Sequence, residues 1–163
     1  MAGPTDRART GWLFVAAQVV LLVALVALPT GTAWPMPGWL RGVALGLVVL
    51  GLVGIAAASL TLGRALTPTP VPNGRGALRT GGLYRFVRHP IYTGVLAAVL
   101  GVTLGSRQWL GLALGIATVT FFGVKARWEE ARLAEAFPGY ADYAAVTPRF
   151  VPFWPRALIR PLR

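Results

Sequence analysis

Apolar runs in the sequence predict an all-α integral membrane protein with about four transmembrane helices. Hydrophobic residues make up 55% of the 163 residues, charged residues only 13%, and the mean hydropathy is +0.62. A soluble domain has roughly twice that share of charged residues. The last two runs predict a C-terminal helical hairpin that extends into a cytoplasmic amphipathic helix. By length we expect a single domain, residues 1–163.

The net charge of +11 would normally suggest nucleic acid as a partner. Here the basic residues flank apolar runs, so we expect membrane lipid as a partner and no nucleic acid. The sequence has no cysteine, which excludes disulfides and thiolate chemistry. It has one histidine, so we also expect no metal site.

The first predicted span, residues 12–28, contains Gln18 as its only strongly polar residue and is followed by Pro29. A signal peptide is the alternative to a retained anchor helix. We favour the anchor, because the run is long for a signal peptide and residues 30–38 lack a small-x-small cleavage site. Residues 1–10 are polar and are expected to be disordered.

The second predicted span covers residues 40–63, after a proline-rich loop at residues 29–37. Residues 42–63 carry no charge and are long enough to cross about 30 Å of hydrocarbon. Glycines at positions 42, 46, 51 and 54 indicate either close helix packing or mere tolerance of glycine in membrane helices. Residues 64–82 contain prolines and turn signals and are predicted to form a loop.

The third and fourth predicted spans, residues 90–106 and 108–124, are separated by Arg107 alone. Pro90 suits the first turn of a helix, where its missing N–H costs nothing. Both runs are at the short end for spanning, so a hairpin that does not fully cross the bilayer is an alternative.

The distribution of Lys and Arg predicts the orientation. If the N-terminus is cytoplasmic, Arg41 and Arg107 are the only two of the 16 basic residues that face outward. Both termini are then cytoplasmic. The preference for Arg over Lys suggests a GC-rich genome and hence a bacterial inner membrane. Two spans separate residues 76–94 from residues 125–152, so these segments share one side and are predicted to form a cofactor site together.

Glu129, Glu130 and Glu135 are three of the five acidic residues and follow the fourth span closely. They predict a site for a cationic ligand in an otherwise basic protein. The alternative is a solvated helix face on which Glu129 pairs with Arg132 at i, i+3.

The stretch from Thr80 to Gly94 holds the single histidine, His89, together with Arg85, Arg88 and Tyr92. These side chains converge on a predicted helix N-terminus, which favours anions. Contact with phospholipid head groups explains the arginines equally well. Gly94 and the preceding glycines permit close approach of a ligand. Together with the acidic pair this suits a zwitterionic ligand, for which S-adenosylmethionine is one candidate among others.

Two ordered motifs resemble the isoprenylcysteine carboxyl methyltransferase and phospholipid methyltransferase superfamily of integral membrane enzymes. The first is Thr80-Gly81-Gly82-Leu83-Tyr84, followed by Arg88-His89-Pro90-Ile91-Tyr92-Thr93-Gly94. The second is Glu129-Glu130, followed by Phe137-Pro138-Gly139, Tyr140-Ala141-Asp142-Tyr143 and a Val-Pro-rich tail at residues 146–152. The match covers about the C-terminal half of the chain.

The resemblance implies a methyltransferase that uses S-adenosylmethionine as cofactor on a lipophilic small-molecule acceptor. It implies cofactor contacts from Tyr84, His89, Pro90, Ile91, Tyr92 and Glu129 and from the backbone of Gly76, Ala77, Leu78 and Arg79. We add Arg88, Gly94 and Glu130 to the cofactor site. Tyr92 and Glu130 are the candidate catalytic residues, with Tyr84 as an alternative proton acceptor.

Lys125, with Arg127 close by, takes the position of the arginine that contacts the acceptor carboxylate in the prenylcysteine enzymes. Lysine lacks the bidentate fork that suits a carboxylate, which argues against a prenylcysteine substrate. Gly76 also replaces a histidine of those enzymes. The small number of spans resembles the phospholipid N-methyltransferases more closely.

Two other functions remain open. Membrane reductases that use NADPH have a similar loop, but with Asn and Glu where this chain has Ile91 and Val95. A non-catalytic membrane scaffold with a lipid-contacting basic loop is the other alternative. It predicts no cofactor binding and tolerance of His89→Ala.

Overall fold

The structure, a computed structural model, describes residues 4–63 and 78–152. Within these residues the chain is helical and contains no strand. The helices are α1 Pro4–Val26, α2 Gly38–Leu62, α3 Pro90–Ser106, α4 Trp109–Ala136 and α5 Tyr140–Val146, with a short 3-10 helix at Gly82–Arg85. The predicted all-α fold is confirmed.

Three of these helices are long and apolar enough to cross a membrane: α1 from Thr5 onward, α2 and α4. The fourth apolar helix, α3, has 17 residues and is shorter. This is the pattern of an integral membrane protein.

Helix α1 begins at Pro4, so the expected disorder of residues 1–10 is wrong for residues 4–10. Proline is favoured at the start of a helix, and Asp6 in the first turn complements the helix dipole. Arg7 also forms an ion pair with Glu135 of α4, with 3.1 Å between Nη1 and Oε2.

Helix α4 runs without a break from the apolar hairpin into the amphipathic segment. No proline or glycine lies between Val124 and Ala136, so nothing interrupts its backbone hydrogen bonds. The predicted extension of the hairpin is therefore confirmed. Packing of Phe14 of α1 against Trp128, with ring centroids 5.5 Å apart, fixes the extension beside α1.

Helices α2 and α3 pack closely at glycine. A Cβ at Gly51 would lie 2.5 Å from the Gly94 carbonyl oxygen, and a Cβ at Gly94 would lie 2.6 Å from the Gly51 oxygen. Any side chain here would push the two backbones apart. A Cβ at Gly42 or Gly46 would meet nothing within 4 Å. The close-packing interpretation thus holds for Gly51, whereas Gly42 and Gly46 are simply tolerated.

The bundle has two ends. The far end consists of the loop at residues 27–37 and the turn between α3 and α4, which are joined by hydrogen bonds such as Ala33 N to Arg107 O at 2.8 Å. The site end consists of residues 78–89, the C-terminal half of α4, α5 and residues 147–152. The two segments predicted to share a side lie together at the site end.

Candidate cofactor site

The start of α3 faces the C-terminal half of α4 at the site end. Tyr92 Oη donates a hydrogen bond to Glu129 Oε2 at 2.8 Å. The buried His89 ring lies between the two acids, with Nε2 3.1 Å from Glu130 Oε1 and Nδ1 3.7 Å from Glu129 Oε2. The structure therefore brings together the histidine and the acidic pair that the sequence singled out.

Three side chains surround Glu130: Arg88, His89 and Arg149. We call these four residues the Glu130 cluster. Arg88 Nε donates to Oε1 at 3.1 Å. Arg149 donates to both oxygens, from Nε to Oε1 at 2.9 Å and from Nη2 to Oε2 at 2.6 Å. Hydrogen bonding to Glu130 raises the pKa of the Arg149 guanidinium. Both oxygens of this 13% exposed carboxylate are engaged by protein groups.

Arg88 also ties the C-terminal segment to the site. Its Nη1 donates to the carbonyl oxygens of Ala144 at 2.7 Å and Thr147 at 2.6 Å. Carbonyls at the end of a helix have no hydrogen-bond donor within the helix, so Arg88 supplies the missing donor at the end of α5. Two guanidinium nitrogens of Arg88 are thus used within the protein.

Residues 147–150 lie across the start of α3. Their carbonyl oxygens accept hydrogen bonds from Arg88 N, His89 N and Thr93 Oγ1. Tyr143 Oη of α5 donates to Tyr84 O at 2.5 Å. The C-terminal segment therefore holds the 78–89 loop and α3 in one arrangement.

Glu129 differs from its neighbour, because the described residues give its Oε1 no hydrogen-bond donor. Its Oε2 accepts from Tyr92, whose ring stacks on His89 with centroids 5.1 Å apart and planes 5° apart. The Glu129 side chain is 24% exposed. Arg132, its partner in the solvated-face interpretation, instead lies over the Trp128 ring at 4.5 Å. Glu129 is a fixed carboxylate with one oxygen that no described residue engages, which we call its open oxygen.

Two tyrosine hydroxyls near the acids stay protonated at neutral pH. Burial, with the nearby charge of Glu129, raises the pKa of Tyr84 to about 12. Burial, with the charge of Glu130, also raises the pKa of Tyr140. Among the described residues the Tyr140 hydroxyl has no hydrogen-bond partner, although the residue is only 4% exposed. Both hydroxyls are neutral and can donate to a ligand.

Lys125 of α4 is 2% exposed, and its side chain contacts α1. Its Nζ donates to Gln18 Oε1 at 2.5 Å and lies 5.2 Å from the centroid of the Tyr92 ring. Arg127 is exposed, whereas Lys125 is buried. The two residues predicted to contact the acceptor therefore lie in different environments. Sequence reasoning did not include Gln18 in the site, although it is the one strongly polar side chain of the first apolar run.

The remaining predicted cofactor residues lie in different settings. Pro90 is buried at the first turn of α3 and Ile91 is half-buried beside it. Leu78 is half-buried and Arg79 is exposed. Gly94 contacts α2, which accounts for that glycine by helix packing. Gly76 and Ala77 lie outside the described residues.

Arg149 and Tyr140 are further site residues that sequence reasoning did not assign individually. Both belong to the C-terminal motifs, so the motif was the available signal. Their partners are set by how the tail folds back onto α3 and α4. No group of three or more His, Asp or Glu side chains that could hold a metal occurs in the described part of the chain. The absence of a metal site stays a prediction.

Comparison with known proteins places the chain in a family. A cobalt-zinc-cadmium resistance protein, CzcN, of Cupriavidus metallidurans is 33% identical over 108 residues, which are 65% of this chain and 49% of that protein. The chain thus spans about half the length of this curated relative. The phospholipid methyltransferase family model matches residues 39–139, from the start of α2 to the end of α4 and the turn after it. Because that match covers more than half of the chain, the protein belongs to the phospholipid methyltransferase family of membrane methyltransferases, which generally use S-adenosylmethionine.

Proposed function

We propose that this protein transfers a methyl group from S-adenosylmethionine to a lipophilic or amphiphilic acceptor at the cytoplasmic face of the membrane. The observation that carries the proposal is Glu129, held by Tyr92 beside His89 with one oxygen open. The family supports the reaction class. The distribution of Lys and Arg supports the cytoplasmic face, and the preference for Arg supports a bacterial inner membrane.

The residues at the site end fit the charges of S-adenosylmethionine. The open oxygen of Glu129 suits its ammonium or its positively charged sulfur. The start of α3 suits its carboxylate, because first-turn N–H groups lack helical partners and the dipole favours anions. Tyr84 and Tyr140 add neutral hydroxyl donors. In this proposal the contacts are Tyr84, His89, Pro90, Ile91, Tyr92 and Glu129, with backbone from residues 76–79.

When bound, the cofactor supplies an electrophilic methyl group on sulfur. The protein must then hold the acceptor in line with that group and exclude water. Tyr92 suits this role, because His89 stacks on one side of its ring and Phe122 packs edge-on at 5.0 Å. Its hydroxyl is oriented by Glu129, so the site needs little rearrangement to position a ligand.

The two acids have different roles in this proposal. Glu130 is engaged by Arg88, His89 and Arg149, so we assign it to positioning His89 and not to proton transfer. The open oxygen of Glu129 is assigned to the positive charge of the cofactor, so neither acid is assigned to take a proton from an amine acceptor. A carboxylate or thiolate acceptor needs no base.

Lys125 is the proposed acceptor contact. It is buried beside Tyr92 and donates to Gln18 of α1, and we propose that the acceptor reaches it by entering between α1 and α4. Arg127 is exposed and is the weaker candidate. Lysine is a compact point charge without the bidentate fork of arginine, which argues against a prenylcysteine carboxylate as the acceptor.

The test is calorimetric titration of the detergent-purified protein with S-adenosylhomocysteine. We expect binding by the wild type and a loss of at least about tenfold in affinity for Glu129→Ala and His89→Ala. Glu135→Ala is the matched control, because it removes an exposed carboxylate from the same helix. It should leave the affinity unchanged.

Wild-type affinity in a folded Glu129→Ala variant would contradict the proposal. So would binding of NADPH in place of S-adenosylhomocysteine, which would favour a reductase. Thermal unfolding of each variant in the same detergent separates loss of the site from loss of the fold.

A further inference from the structure

The far end of the bundle contains a cavity, distant from the proposed cofactor site. It lies between α1, α2 and α3 and has a volume of about 450 Å³. Ligand sites typically measure about 300 to 1,000 Å³. Its wall is largely apolar, with Leu25, Leu45 and Val48 among the lining residues, but Arg41 and Arg107 also line it. The cavity thus pairs an apolar wall with two cations.

These two cations have no acidic counterpart at the far end. The five acidic residues of the chain all lie in the described residues of the site end or the first turn of α1: Asp6, Glu129, Glu130, Glu135 and Asp142. Arg107 Nε donates to the Trp34 carbonyl oxygen at 2.9 Å, which leaves its charge uncompensated. Arg41 is exposed. An anion at this cavity must therefore come from outside the chain.

The backbone at this end adds to the positive potential. Gly31 N donates to Ser106 O at 2.7 Å and Trp34 Nε1 donates to Leu104 O at 3.2 Å. These carbonyl oxygens at the negative end of α3 therefore already have hydrogen-bond donors within the protein. Helix α2 begins after Pro37, which provides no side-chain cap. The positive end of α2 therefore stays uncapped beside Arg41.

Tryptophan side chains indicate the depth of the cavity in the bilayer. Trp39 is 71% exposed and Trp109 is 69% exposed, and Trp109 packs against Trp34 with ring centroids 5.8 Å apart. Exposed Trp residues concentrate at the level of the lipid head groups. Arg41 is two residues after Trp39 and Arg107 is two residues before Trp109. The cations thus lie at head-group depth, and the apolar wall continues toward the hydrocarbon.

We propose that this cavity binds a phospholipid with an anionic head group. Its phosphate contacts Arg41 and Arg107, and an acyl chain lies along Leu45 and Val48. The planar fork of arginine matches phosphate geometry, and the apolar wall beside the two cations suits an acyl chain. This site is at the opposite end from Glu129 and does not depend on the proposed methyl transfer. In the predicted orientation the lipid belongs to the outer leaflet.

Native mass spectrometry of the detergent-purified protein, titrated with phosphatidylglycerol and with phosphatidylcholine, tests the proposal. We expect tighter binding of phosphatidylglycerol and a loss of about tenfold in its affinity for Arg41→Gln. Arg41→Lys keeps the charge and should recover part of the affinity. Gly105→Phe should abolish binding, because a Cβ at Gly105 meets no atom within 4 Å and the ring can fill the cavity it lines.

Arg9→Gln is the matched control, since it removes one exposed positive charge from the N-terminal part of α1 and Arg9 does not line this cavity. It should leave phosphatidylglycerol binding unchanged. Equal affinity for the two lipids would overturn the proposal. Wild-type binding by Gly105→Phe, or an equal loss in Arg9→Gln, would also overturn it, because the lipid would then follow overall charge and not this cavity.

Discussion

Two adjacent carboxylates on α4 lie in opposite settings. Glu130 is saturated, because Arg88, His89 and Arg149 together engage both of its oxygens. Glu129, one residue earlier, is held by Tyr92 through Oε2, and the described residues leave Oε1 open. Buried polar groups are normally satisfied within the protein, and Glu130 follows this rule. In the proposed function, the Glu129 oxygen that no described residue engages receives the cofactor, so the two identical side chains are proposed to have different roles.

The largest expected effect comes from Glu130→Ala. It leaves Arg88 and Arg149 without their shared anion, and loss of one partner of a buried ion pair costs about 3 to 5 kcal/mol. We expect a strong fall in the thermal unfolding midpoint in detergent, measured by circular dichroism. An unchanged midpoint would show that the cluster does not stabilise the fold.

Arg149→Lys tests the geometry of the Glu130 cluster with its charge retained. Lysine cannot form the two parallel contacts that Arg149 makes through Nε and Nη2. We expect a loss of about 1.5 to 3 kcal/mol in the free energy of unfolding, the value of a hydrogen bond to a charged group. Full stability in urea unfolding would mean that charge alone suffices.

Tyr92→Phe tests the Glu129 setting, because it removes only the hydroxyl that holds Oε2. We expect about a tenfold fall in the affinity for S-adenosylhomocysteine and a smaller change in stability, since the ring still stacks on His89. Calorimetric titration checks the affinity. A variant that unfolds readily but binds normally would reverse the roles assigned to the two carboxylates.

The smallest effect is expected for Glu135→Gln. Both side chains of its ion pair with Arg7 are exposed, and such pairs contribute about 0 to 1 kcal/mol to the free energy of unfolding. Neither the unfolding midpoint nor the affinity for S-adenosylhomocysteine should change measurably. A large loss of stability would indicate that the contact between the start of α1 and the end of α4 is more important than its exposure suggests.

The sequence could predict that His89 and the acidic pair lie together, but not which groups engage each acid. Span counting put His89 and Glu129 on one side of the membrane, because an even number of crossings returns the chain to that side. Gln18 and Lys125 are 107 residues apart, and no local pattern joins them. The contact of Arg149 with Glu130 could not be predicted either, because it depends on how the C-terminal segment folds over α3.

The sequence alone determined the helical membrane architecture and the family motifs, because apolar run length and motif spacing are local properties of the chain. Only the tertiary structure decided which acid is saturated and which is open. Successive residues on a helix point about 100° apart, so Glu129 and Glu130 face different neighbours. Those neighbours come from α3 and from the C-terminal segment, and the packing of these elements against α4 gives each carboxylate its partners.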